Sequence, residues 1–99
     1  MKDATVKKII TALQNNKDKE RAVVHVFNPY GTGDWWLTDY EGDNVCFGLC
    51  DLGFPEYGSV CLKELSEVRI PIAGEQLALE YDEYFTPTNV KAIMREIKG

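Results

Sequence analysis

Trp35-Trp36-Leu37-Thr38-Asp39-Tyr40-Glu41-Gly42-Asp43-Asn44-Val45-Cys46-Phe47-Gly48-Leu49-Cys50 decides the fold. Trp35–Tyr40 is rich in aromatic side chains, and Val45–Cys50 is apolar; both read as strands. Between them stands Glu41-Gly42-Asp43-Asn44, which reads as a turn. A break this short joins neighbours in an antiparallel sheet, because a parallel crossover needs a dozen residues or more.

The same grammar extends in both directions. Upstream, Val23–Phe27 is a β-branched strand that ends at the turn Asn28-Pro29-Tyr30-Gly31-Thr32-Gly33. Gly31-Thr32-Gly33 leads into a strand and carries no Lys, so it is a hairpin turn and not a phosphate loop. Downstream, Gly53-Phe54-Pro55-Glu56 breaks the chain before a strand at Tyr57–Leu62. Leu77–Tyr84 reads as a fifth strand.

Two helices frame this meander. Val6, Ile9, Ile10 and Leu13 make one apolar face over residues 4–15, with Asp3 as the cap. Val90, Ile93, Met94 and Ile97 make the face of a C-terminal helix, with Pro87 in its first turn. Lys63–Glu67 suggests one further helical turn. The pattern predicts a single α+β domain over residues 1–99: an antiparallel four- to five-stranded meander sheet with an N-terminal and a C-terminal helix packed on it. Both helices are expected on the same face.

The formal net charge is −5. Residues 1–22 hold six Lys/Arg and three Asp/Glu, so the remainder carries −8. An acidic body repels phosphate backbones, which disfavours nucleic acid as a partner. Three cysteines, Cys46, Cys50 and Cys61, make no disulfide framework. Cys46 and Cys50 would share a strand face about 13 Å apart, too far to bridge. A reducing cytoplasm is the expected setting. The chain opens on a charged amphipathic segment, and no apolar run is long enough to span a membrane.

Candidate chemistry is sparse. His25 is the only histidine. No Cys-x-x-Cys spacing accompanies it, so neither a metal site nor any cofactor is expected. No catalytic residue is assigned. Trp35 and Trp36 point to opposite faces of one strand, so one of them should look outward. An outward Trp beside carboxylates suggests a protein-binding surface, and Trp35, Trp36, Asp39, Tyr40, Glu41 and Asp43 are its candidate residues.

The order of motifs resembles the domain of unknown function 2958 family. Val24-His25-Val26-Phe27 matches its opening strand, and Trp35–Asp43 resembles its aromatic strand and acidic turn. Phe47-Gly48-Leu49 resembles its Phe-Gly-aliphatic strand. Gly58-Ser59-Val60-Cys61-Leu62-Lys63-Glu64-Leu65 resembles its Gly-to-Glu-Leu stretch. Asp82-Glu83-Tyr84-Phe85-Thr86-Pro87 resembles its Asp-x-x-Phe-x-Pro stretch. The aromatics here are adjacent rather than separated by one residue, and Tyr81 stands where the family has an Arg. The resemblance implies a fold and a bacterial, mobile-element origin, and no reaction. It adds Asp82 as a possible polar site.

The expected function is that of a non-catalytic module with a protein partner. One alternative is an acidic mimic of nucleic acid that inhibits host defence. Carboxylates two apart along a strand or turn, as at Asp39, Glu41 and Asp43, are spaced about 7 Å, the scale of successive phosphates. Another is a small enzyme using acidic residues or a His25–Cys pair. A homodimer through an open sheet edge is a further possibility.

Overall fold

The computed structural model describes residues 1–99. The order is α1 (Asp3–Asn15), β1 (Arg21–Ala22), β2 (Val24–Phe27), β3 (Asp34–Gly42), β4 (Val45–Asp51), β5 (Pro55–Cys61), α2 (Leu62–Glu67), β6 (Arg69–Ile72), β7 (Glu75–Ala78), β8 (Glu80–Tyr81), β9 (Thr88–Asn89) and α3 (Val90–Lys98). Five strands form the main sheet in the order β5-β4-β3-β2-β8, and every neighbouring pair is antiparallel. The α+β class, the meander β2 to β5 and the two terminal helices are therefore as the sequence predicts. No helix is long and apolar enough to cross a membrane.

The deciding hairpin forms for the reason its composition suggests. Asp43 and Asn44 adopt φ of 51° and 65° between β3 and β4. Two successive left-handed residues give a turn whose twist matches that of the strands. The Asn44 amide donates to the Tyr40 hydroxyl at 3.0 Å, which ties the turn to its own strand.

The helices depart from expectation: they lie on opposite faces. Ile9 and Leu13 of α1 pack with Val24, Val26, Trp35 and Leu37, and Leu62 and Leu65 of α2 join them. Val90 and Ile93 of α3 pack instead with Ala22 and Leu49, flanked by Trp36 and Phe85. The central strands are apolar on both sides, so each side needs its own cover. The α3 start also differs. Thr88-Asn89 first pairs with Arg21-Ala22, and only then does the Asn89 side chain cap the helix by accepting from the Lys91 amide at 2.8 Å. Pro87 therefore precedes the helix. At the other end Lys2, not Asp3, is the cap position of α1.

The fifth strand also divides. Ala73 and Gly74, both with positive φ, fold Glu75–Ala78 back on Arg69–Ile72 as a hairpin. Leu79 then drops into the core, and Glu80–Tyr81 alone reaches β2.

Candidate functional site

Alternation on β3 sends the two tryptophans in opposite directions, and both find cover. Trp35 is buried on the α1 face. Trp36 lies half-buried on the α3 face, stacked on His25 with ring centroids 5.0 Å apart and planes 6° from parallel. Tyr40 is half-buried. The carboxylates remain closer to solvent, but two are engaged. Asp39 accepts from the Thr38 hydroxyl at 2.6 Å, and Glu41 accepts from the Ser59 hydroxyl at 2.8 Å. Asp43 stands exposed at the turn.

The densest polar constellation forms around His25 on the α3 face. Its Nε2 lies 2.8 Å from Asp34 Oδ1, and its Nδ1 lies 3.7 Å from Asp82 Oδ2. Phe27 and Phe85 join Trp36 around the ring, with centroids 5.3 and 5.6 Å away. Asp82 is itself held: its amide donates to the His25 carbonyl at 2.9 Å, and its Oδ1 accepts from the Tyr84 amide at 3.0 Å. With the Nε2–H tautomer the imidazole donates to Asp34, and a second proton at Nδ1 would face Asp82. The cluster ties β2, β3 and the segment leading to α3 together. Asp82 is thus brought to a polar site. Asp34 was missed, although a hairpin register pairing Phe27 with Asp34 places it diagonally across from His25. The His25–Cys pair does not form. His25 is on the α3 face, while Cys46 and Cys50 pair across from Tyr40 and Trp35 on the other.

Concavity lies elsewhere. A groove of about 410 Å³ runs beside β5 on the α1 face, floored by Trp35, Cys50 and Leu65 and walled by Val68, Glu56 and Glu64. Leu52, at its border, is 66% exposed; Phe54, in the same turn, is 75% exposed beside Ile97 and Lys98, and Tyr57, across from Leu49 on the other face, is 45% exposed. No three His, Cys, Asp or Glu side chains converge as a metal site would require.

Compared with protein families, residues 2–95 match the one described as "Protein of unknown function (DUF2958)". The chain belongs to the DUF2958 family. Comparison with curated proteins and with solved structures found no match. In this DUF2958 protein three of the family-like stretches meet at one point. Trp36 from the aromatic strand and Asp82 and Phe85 from the Asp-x-x-Phe-x-Pro stretch all surround His25.

The cysteines are free. Burial, reinforced by Asp39, pushes the Cys46 thiol up to about 12 from 9.0. Burial, reinforced by Glu56, raises Cys50 as well. A thiol held neutral in the fold contributes stability below about pH 9 that is lost as pH climbs toward 12. At neutral pH this upward shift leaves the Cys46 thiolate far scarcer than in the unfolded chain. Mass spectrometry of iodoacetamide-treated protein should show Cys46 labelling at least about tenfold slower than in urea-unfolded protein. Equal labelling in the two states would refute the buried placement.

Proposed function

We propose that this DUF2958 protein is a non-catalytic protein-binding module whose docking surface lies at the β4–β5 side of the sheet. One observation carries it: Leu52 and Phe54 stand exposed in the β4–β5 turn, and Leu52 borders an apolar groove rimmed by Glu56 and Glu64. An apolar patch bordered by charge is what a protein interface presents before its partner arrives. Asp39, Glu41 and Asp43 extend the acidic character of the sheet, while Trp35, Trp36 and Tyr40 serve its interior. Bonds from Thr38 and Ser59 to Asp39 and Glu41 weaken the phosphate-mimic alternative, which needs a row of free carboxylates. Three free thiols suit a reducing cytoplasm.

The test is a Leu52→Ser, Phe54→Ser double variant. Both side chains are mostly solvated, so stability should move by no more than about 0.5 kcal/mol per site. Tagged wild type should capture a protein from host lysate that the variant captures at least tenfold less. Equal capture by both would overturn this surface.

A further inference from the structure

The two edges of the main sheet are not alike. β8 has two residues, one of them Glu80, and is too short to template another strand. β5 has seven residues, Pro55–Cys61, with a single charge, Glu56. It pairs with β4 on one side only, and no turn or loop hydrogen bond reaches its backbone. Alternate amides and carbonyls of β5 therefore point outward unpaired. Soluble proteins guard such edges with charge, proline, bulges or a covering segment. Pro55 and Glu56, at the start of β5, offer that here, and they leave the remaining five residues open.

The groove lies along this same edge. Register places Glu56, Gly58 and Val60 on the groove side, since they pair with Cys50, Gly48 and Cys46. Glu64 of α2 and Val68, just after it, wall the far side. A strand laid on β5 would send every second side chain toward the groove, over Trp35 and Leu65 and between Glu56 and Glu64.

We propose that β5 and its groove receive an extended segment of a partner protein, added as a sixth antiparallel strand, with basic and apolar side chains alternating on its groove side. This rests on the docking surface proposed above and specifies its occupant. A second copy of the chain fits poorly. Symmetric antiparallel pairing keeps like faces together, so it would offer Glu56, Gly58 and Val60 to a groove already rimmed by Glu56 and Glu64. One carboxylate and one missing side chain neither fill the apolar floor nor neutralise the rim. A Lys- or Arg-bearing strand does both.

The probe is the capped peptide Thr-Lys-Thr-Val-Thr-Lys-Thr, titrated into isotopically labelled protein and followed by amide NMR. Shifts concentrated at residues 55–61, with slowed exchange of those amides, are expected. Exchanging both peptide lysines for Glu should weaken binding at least about tenfold, and a Glu56→Lys, Glu64→Lys variant should invert that preference. Absence of shifts at 55–61 up to about 1 mM peptide would overturn strand addition. So would shifts that ignore the sign of the peptide charge. Protection of 55–61 without peptide, together with a dimer in sedimentation, would assign the edge to a second copy instead. If peptides fail while the Leu52→Ser, Phe54→Ser variant still loses its partner, the docking surface stands and only the strand mode falls.

Discussion

Replacing Gly48 by Ala is expected to destabilise the protein by about 3 kcal/mol or more. A Cβ there would lie 2.2 Å from the Trp36 carbonyl oxygen and 2.7 Å from the Leu37 Cα. Both are backbone atoms of β3, so no side-chain rotation relieves the clash. β4 cannot retreat either, because β3 and β5 hold it on both edges. The register beside Leu37 slips by one residue before Asp39, and the close approach of the strands sits next to that irregularity. In a domain of this size 1 kcal/mol corresponds to roughly 4–8 °C, so the midpoint should fall by at least about 12 °C. Gly58 is the control. It pairs directly with Gly48, yet a Cβ added there meets nothing within 4 Å. Gly58→Ala should change stability by about 0.5 kcal/mol at most. Thermal unfolding followed by circular dichroism decides, and equal effects from the two substitutions would defeat the close-approach explanation.

That contrast shows what a sequence carries and what it hides. Gly48 and Gly58 look alike in the string, and both lie in strands. Only the packing of β3 against β4 tells them apart. The hairpins were legible because turn residues state their backbone geometry locally, as Asp43 and Asn44 do. The face of α1 was legible because Ile9 and Leu13 repeat at helical spacing. The side of the sheet that α3 covers was not, because periodicity names an apolar face without naming its target. β3 and β4 held the clue in Trp36 and Leu49, which make their second face as apolar as the first. The strand expected over Leu77–Tyr84 failed for a related reason. Its composition suits pairing with either β6 or β2, and the break at Leu79 splits it between them. His25 was visible as a lone residue, but its partners arrive from residues 34 and 82, and only tertiary register brings them together. The docking edge was hidden in the same way, since being an edge is a property of the whole sheet.

Trp36→Ala is expected to cost about 3 kcal/mol, toward the lower end for removing a large aromatic because the ring is only half-buried. The indole supports two structures at once. It stacks on His25 at 5.0 Å, and it packs against the Ala22, Leu49, Val90 and Ile93 cluster under α3. Its loss would leave a hollow beneath the helix and free the imidazole that joins Asp34 to Asp82. Trp36→Phe keeps an aromatic face against the histidine and should cost less than about 1.5 kcal/mol. Urea unfolding of the two variants measures both values, and the His25 ring resonances report whether the stack survives. The outcome bears directly on function. An outward tryptophan acting as a binding anchor could be cut to alanine with little change in stability while binding vanished. A tryptophan that roofs a histidine and floors a helix would lose binding only because the sheet loosens. A Trp36→Ala variant within 1 kcal/mol of wild type would return the aromatic strand to candidacy as the interaction surface. A large loss, rescued by phenylalanine, assigns that ring to the fold and leaves recognition to the β5 edge.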